Sequence, residues 1–212
     1  LTDFVPVSLA TSMPQIVCVT PSLPVRSIKD LIALAKSRPG EVLFSSAGNG
    51  QADHMAGELL AYMAGVKMTH VPYKGGPQAL TAVMSGEVVL DFPGLAVALP
   101  HVISGKVRAI AVTTAKRSPA TPAIPTIAES GVPGYEQSIW SGAFAPVGMP
   151  QPMIAKVSED FTRVLKLADV QERFAQLGVE AVGSTSAQFD AFFKADVAKW
   201  AKVVKATGIR GD

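Results

Sequence analysis

Residues 41–76 decide the fold, and they read EVLFSSAGNGQADHMAGELLAYMAGVKMTHVPYKGG. The segment opens with a short apolar run, EVLFSSA (41–47), which predicts a strand. A turn of small residues follows, then a helical pattern over 51–64, and then a second predicted strand, KMTHVPY (67–73). Strand, turn and helix therefore repeat within 36 residues, as in a mostly parallel sheet covered by helices.

The same alternation continues on both sides of this segment. Ser27, followed three residues later by Asp30, predicts a capped helix that ends at Pro39-Gly40. The remaining elements of the block are predicted strands at QIVCVT (15–20), VVLDF (88–92) and VRAIAVTT (107–114), and predicted helices over 77–85 and 94–104. A proline-rich surface connection, 115–137, ends the block, so we expect residues 14–137 to form one α/β lobe.

A helix-rich region follows from residue 138. It contains predicted strands at SIWSGAFAPVG (138–148) and GVEAVG (178–183), and predicted helices over 152–167, 169–177 and 186–206. Two strands are too few for an independent sheet. They need a partner, either the N-terminal DFVPVSLA (3–10) or strands outside this sequence. We therefore expect residues 1–13 and 138–212 to form a second, incomplete lobe.

Composition excludes several classes of protein. The net charge is only +2, and there is no run of Lys or Arg, so we expect no nucleic-acid partner. The single cysteine, Cys18, lies within an apolar run and is interpreted as a buried strand residue. No apolar window is long enough for a membrane helix, so we expect no direct membrane insertion.

The first candidate binding feature is the turn at Ser45, Ser46, Ala47 and Gly48. Free N–H groups and a helix start converge there, which favours an anion, although a purely structural turn is the alternative. The P-loop lysine and the dinucleotide glycine spacing are both absent, so a carboxylate is favoured over a phosphate. His54 and Glu58 lie one helical turn apart without a third ligand nearby, so we expect no metal. His54 either anchors the helix or lies at the edge of a cleft.

The second candidate feature is HVPYKGG, residues 70–76, where a glycine-rich turn again precedes a helix. Backbone N–H groups here can point together at an anion, and the tyrosine can offer a ring and a hydroxyl. The candidates in this turn are Tyr73, Lys74, Gly75 and Gly76, with the lysine alternatively a solvated surface residue.

Two further candidates are ambiguous. Asp91 ends a strand and either joins the site or only stabilises a turn, and Trp140 is either a core residue or a cleft wall. No Ser/His/Asp set, acid pair or Cys/His pair can be assembled, so we expect neither catalysis nor a cofactor.

Five long segments carry a family resemblance. They are DFVPVSLA, SSAGNGQADHMAGELL, HVPYKGGPQALTAVMSGEV, ALPHVISGKVRAIAVTTAKRSPATPAIPTIAESGVPGYE and WSGAFAPVGMPQPMIAKV. Together they resemble the solute receptors of tripartite tricarboxylate transporters, the Bug family of bacterial periplasmic binding proteins. The resemblance extends over essentially the whole sequence.

This resemblance implies a type II periplasmic-binding-protein-like fold, an α/β two-lobed clamshell. It implies capture of a small carboxylate, whether a di- or tricarboxylate, an aromatic carboxylate or an acidic amino acid, for delivery to the membrane components of a transporter. The expected location is the periplasm. Backbone amides of a loop in each lobe grip the ligand in that family, and this lobe's share falls on the two turns named above.

Two features depart from the family pattern. Members of the family carry a further strand and βα unit upstream of DFVPVS, so we expect the first lobe to be incomplete here. The family's MFD segment reads LDFP in this sequence, with Pro93 in place of the aspartate and Asp91 two positions earlier. The alternative function is the effector domain of a transcription regulator, which can share the two-lobed architecture.

Overall fold

The computed structural model describes residues 3–209. Within that range, helices and strands alternate for most of the chain. In order, the elements are β1 (Phe4–Met13), β2 (Ile16–Val19), α1 (Ile28–Ser37), β3 (Leu43–Ser46), α2 (Ala52–Ala64), β4 (Thr69–Pro72), α3 (Gly76–Ser85), β5 (Leu90–Asp91), α4 (Leu95–Ile103), β6 (Arg108–Val112), β7 (Ile139–Pro146), α5 (Gln151–Leu165), α6 (Ala168–Gln176), β8 (Glu180–Ala181) and α7 (Ser186–Thr207).

The described chain divides into two compact units. Unit A consists of residues 3–13 and 139–202, and unit B consists of residues 14–138 and 203–209. Residues 203–209, at the end of α7, group with unit B and not, as their place in the sequence had predicted, with the other lobe.

Unit B is built on a five-stranded sheet in the order β4-β3-β5-β2-β6. β3 is parallel to β4 and β5, while β2 is antiparallel to both β5 and β6. Four strands therefore run in one direction and β2 runs in the other. The expected mostly parallel sheet is present, with β2 as the exception.

The predicted helix cap in unit B is confirmed. The Asp30 N–H donates to Ser27 Oγ at 3.2 Å, and the Arg26 N–H donates to Asp30 Oδ2 at 3.0 Å. These bonds satisfy N–H groups at the start of α1 that have no partner within the helix. The helix ends just before Pro39, and Gly40 continues the chain with a φ of 85°.

The core of unit B lies around β2, whose four residues are all buried. The connection over 115–137 is more firmly packed than a surface loop. Tyr135 is fully buried, and its hydroxyl donates to the carbonyl of Ala56 at 2.9 Å. At the end of β6, the Val112 N–H donates to the Pro125 carbonyl, and the Val112 carbonyl accepts the Ile127 N–H. The prolines shape this segment, while its aromatic and aliphatic residues anchor it.

Unit A is built on a three-stranded antiparallel sheet in the order β7-β1-β8. The N-terminal strand is thus the partner of the later strands, as in the first of the two alternatives above. Phe189 of α7 is fully buried and packs against Gly142 of β7, leaving no room for a Cβ atom there. Val7, Ala145 and Ile154 form a smaller cluster between the sheet and α5.

We expect Gly57→Ala to destabilise the protein by about 1 to 3 kcal/mol, because a Cβ at this position in α2 overlaps the buried ring of Phe44. Urea denaturation measures the change. Gly76→Ala is the matched control, because its Cβ enters open space. If the two variants are equally stable, the close packing of α2 on β3 is not a constraint on the fold.

Candidate functional site

The two candidate turns of unit B lie side by side. β3 and β4 pair in parallel with Ser46 opposite Pro72, so both strands end at one edge of the sheet. The Tyr73 N–H then donates to the Ser46 carbonyl at 2.9 Å, and the Gly75 N–H donates to the Ala47 carbonyl at 3.2 Å. The structure thus joins the two predicted sets of residues into one surface at the carboxyl ends of parallel strands, where α/β sheets bind ligands.

The β3–α2 turn is satisfied largely by its own side chains. The Ala47 N–H donates to Asp53 Oδ2 at 2.7 Å, and the Gly48 N–H donates to Ser46 Oγ at 3.1 Å. The Gly50 N–H donates to His54 Nδ1 at 3.0 Å. Three N–H groups of this turn, two of which the sequence analysis assigned to a ligand, thus have acceptors within the protein. His54 anchors the first turn of α2, which was one of the two roles considered for it.

The β4–α3 turn, in contrast, has no side-chain acceptor within residues 3–209 for the N–H groups at the start of its helix. Gly75 is the N-cap of α3, and no side chain caps this helix among the described residues. Gly75 has a φ of 114°, a conformation that side chains disfavour, and Lys74 beside it is exposed. The first N–H groups of a helix lack partners within it and carry partial positive charge, and at α3 Pro77 removes one of them. The start of α3, from Gly76, is therefore the part of the surface best able to receive an anion.

Ser45 and Asp91 both lie in the interior. The Ser45 hydroxyl is hydrogen-bonded to the carbonyls of Ala79 and Leu90. Asp91 is 1% exposed; its Oδ1 accepts the Phe92 N–H at 2.7 Å, and its Oδ2 has no partner. Burial, together with the negative charge of Asp53, raises the pKa of Asp91 well above its usual range. A neutral acid inside the sheet is consistent with this environment.

The side chains of Tyr73 and Trp140 lie in different parts of the structure, Tyr73 beside α3 and Trp140 in unit A. The Tyr73 hydroxyl donates to Glu87 Oε1 at 2.9 Å, which places its ring in an open groove along α3. Trp140 belongs to β7 of unit A, where its indole N–H donates to Asp196 Oδ2 at 3.1 Å. Its ring packs on those of Phe189, Phe192 and Phe193, as in the core interpretation of this residue.

Asp53 and His70 are functional candidates that the sequence analysis did not select. The Asp53 carboxylate accepts N–H groups from both Ala47 and His54, and so joins the turn to α2. Burial raises the pKa of Asp53, although these two hydrogen bonds oppose the rise. His70 shares a hydrogen bond with Ser46. Its place opposite Phe44 follows from the parallel strand register, which was the signal that could have identified it.

The described residues form neither a metal cluster nor a membrane-spanning helix. No group of three or more His, Cys, Asp or Glu side chains there could hold a metal ion. No helix within residues 3–209 has the length and apolar character needed to cross a membrane.

Comparisons with known proteins relate this chain to one family of receptors. The family model described as "Tripartite tricarboxylate transporter family receptor" (TctC) matches residues 1–209. The chain is 34% identical to Protein BugT of Bordetella pertussis over 210 residues, which is 99% of this chain and 64% of BugT.

Three solved structures are also similar. R. palustris Rpa4515 with adipate has a TM-score of 0.84 and 36% identity, covering 100% of this chain and 71% of that one. The periplasmic binding protein BugD has a TM-score of 0.79 and 32% identity, with coverages of 99% and 71%. MatC from Rhodopseudomonas palustris with bound malate has a TM-score of 0.78 and 29% identity, with coverages of 95% and 69%.

The chain belongs to the tripartite tricarboxylate transporter receptor family. This confirms the resemblance, the α/β periplasmic-binding-protein-like fold class and the prediction that the protein belongs to a family of solute-binding receptors and not of enzymes. The chain spans 60% and 64% of the lengths of two curated relatives.

We expect the free energy of unfolding of Asp91→Asn, measured relative to that of the parent protein, to increase as pH rises from 5 to 8. A folded pKa raised above the ordinary 3.8 means that the parent loses stability as pH rises through that folded pKa, at up to about 1.4 kcal/mol per pH unit. Asparagine cannot ionise and escapes this loss. Urea denaturation at several pH values measures the difference between the two proteins, and a constant difference would show that Asp91 is ionised throughout.

Proposed function

We propose that this chain is the ligand-binding part of an extracytoplasmic solute receptor that captures a small carboxylate, with units A and B as the two lobes. The carboxylate belongs to one of three classes: a di- or tricarboxylate, an aromatic carboxylate or an acidic amino acid. The protein works in the periplasm and passes its ligand to the membrane components of a tripartite transporter. Binding is the whole of its activity, with no chemical step.

The observation that carries this proposal is the uncapped start of α3 beside the β3–α2 turn. Carboxylates bind well at helix N-termini because N–H dipoles supply partial positive charge without a cationic side chain. The β3–α2 turn is held rigid by Asp53 and His54, so its geometry is set before a ligand arrives. A surface built from backbone groups recognises the carboxylate group and leaves the rest of the ligand to other contacts.

The family relationship supports the ligand class. Rpa4515 was solved with adipate and MatC with malate, both dicarboxylates. The family description supplies the transporter partner, and the description of BugD as a periplasmic binding protein supports the location. In the described chain, the two turns of the candidate site contain one exposed cation, Lys74 of the β4–α3 turn. A single cation suits one carboxylate group better than a cluster of three.

Calorimetry on the protein expressed from its complete gene tests the proposal. The panel comprises adipate, malate, citrate, benzoate and glutamate, with an uncharged sugar and an amine as controls. We expect at least one carboxylate to bind with a Kd near or below about 1 μM, equivalent to about 8 kcal/mol, and neither control to bind. Binding of the amine or sugar alone would contradict the proposal, and cell fractionation separately tests the periplasmic location.

We expect Gly75→Val to reduce carboxylate affinity by at least about tenfold, because valine cannot adopt the φ of 114° without distorting the turn. Lys74→Ala should have a smaller effect, about 1 kcal/mol or less, since an exposed charge is screened by water. Calorimetry on both variants measures these changes.

Gly131→Val is the matched control for strain. Gly131 has a φ of 113° but lies beside Lys29 in the connection after β6, so its replacement should lower stability and leave affinity unchanged. If Lys74→Ala costs more affinity than Gly75→Val, a charged side chain holds the ligand and the backbone mechanism is wrong.

A further inference from the structure

Two histidine rings from different elements stack beside the β3–α2 turn. His54 of α2 and His70 of β4 have ring centroids 3.6 Å apart and planes inclined by only 7°. His54 is 6% exposed, and His70 is partly buried. Phe44 lies against both rings, with centroids 6.2 Å and 5.1 Å away. The pair therefore has one buried ring, His54, and one half-buried ring, His70, which is accessible to water on one side.

Each ring is also bonded to the turn. His54 Nδ1 accepts the Gly50 N–H at 3.0 Å, and His70 Nε2 shares a hydrogen bond with Ser46 Oγ. An imidazole nitrogen accepts a hydrogen bond only while it carries no proton. The Gly50 contact thus requires the tautomer of His54 that is protonated at Nε2 alone. A second proton on this ring must go to Nδ1, where it removes the acceptor of Gly50.

The charged groups around the pair come from three elements. On α2, Glu58 Oε1 lies 3.7 Å from His54 Nε2, and Asp53 adjoins His54 in sequence and accepts its N–H. On β5, Asp91 interacts with Asp53. β4 contributes His70 itself. Burial and the charge of His54 lower the pKa of His70 to about 4, while Glu58 opposes this shift. Two imidazolium rings in face-to-face contact would repel each other.

We propose that the His54–His70 stack is a pH-sensitive lock on the β3–α2 turn. Neutral rings hold Ser46 and Gly50 in place. A second proton on His54 removes the Gly50 acceptor, and protonation of both rings places like charges face to face, so the turn is released. If the proposed function is right, this release also weakens the carboxylate site that the turn supports.

The direction of the pH dependence follows from the shift in His70. Its folded pKa, about 4, lies below the ordinary 6.5, so the neutral ring is favoured by the fold. The stabilisation is present above about pH 6.5 and is lost as pH falls through the window from 6.5 to 4. Asp53 and Asp91 have raised pKa values, so they also titrate on acidification and must be separated from the histidines by experiment.

NMR on the complete protein without ligand tests the lock. At pH 7, the imidazole ¹⁵N shifts should show His54 protonated at Nε2 and unprotonated at Nδ1. Between pH 7 and 4.5, the exchange protection of the Gly50 amide, corrected for intrinsic exchange, should fall by at least about tenfold. Observation of the opposite tautomer, or constant protection down to pH 4, would overturn the proposal without any mutation.

Variants separate the histidines from the carboxylates. In His54→Asn the amide oxygen can accept from Gly50 but cannot titrate, and in His70→Gln the side-chain amide can reach Ser46. The double variant should show less than about a twofold change in protection over the same range. His101→Asn is the matched control, since it removes the third histidine, on α4, and should respond like the parent. A full acid response in the double variant would assign the effect to the carboxylates Asp53 and Asp91 and overturn the proposal.

The ligand provides a separate readout. Calorimetry with the best carboxylate of the panel should show affinity falling from pH 7 to 5 in the parent and in His101→Asn, and less so in the double variant. If no carboxylate binds to any of these proteins, the proposed function fails while the NMR result still decides the lock. Affinity could instead have the same pH profile in all these proteins while the Gly50 amide responds as expected. That result would show that the turn opens without affecting binding, and would contradict the proposed link between turn release and carboxylate affinity.

Discussion

The parallel pairing of β3 with β4 is the interaction on which the candidate site depends. Its register places Phe44 opposite His70 and Ser46 opposite Pro72, so the turns after the two strands begin at the same level. The bonds from Tyr73 to Ser46 and from Gly75 to Ala47 extend this pairing beyond the strands. A slip of one residue would move every side chain to the opposite face of the sheet and separate the two histidine rings.

The sequence was sufficient to predict elements whose signals are local. Ser27 and Asp30 predicted the cap of α1, and alternation of strands and helices predicted the layout of unit B because each unit of that pattern has its own turn residues. The direction of β2 was not predictable in this way. A strand's direction depends on which neighbour it pairs with, and four apolar residues pair equally well in either direction.

The sequence predicted the two candidate turns but not their individual contacts, and the binding role of these turns stays a prediction. Glycine and small residues after β3 and β4 indicated where N–H groups would converge, and both turns do meet there. Which N–H groups remain free depends on side chains that arrive from later in the chain, such as Asp53 at Ala47 and His54 at Gly50. Tyr73 illustrates the same limit, because its hydroxyl is engaged by Glu87, 14 residues away in sequence.

The two turns differ in whether their N–H groups already have side-chain acceptors, and this difference bears on the proposed recognition of a ligand. The β3–α2 turn has its amides bonded to a carboxylate, a hydroxyl and an imidazole, so a second anion there would compete with Asp53 for the same donors. The start of α3 has no such competitor among the described side chains. Under the proposed function, a ligand carboxylate would therefore lie against α3, with the β3–α2 turn as the rigid support behind it. If backbone N–H groups hold the carboxylate group as proposed, substitutions elsewhere can change which carboxylate is preferred without disturbing how that group is held.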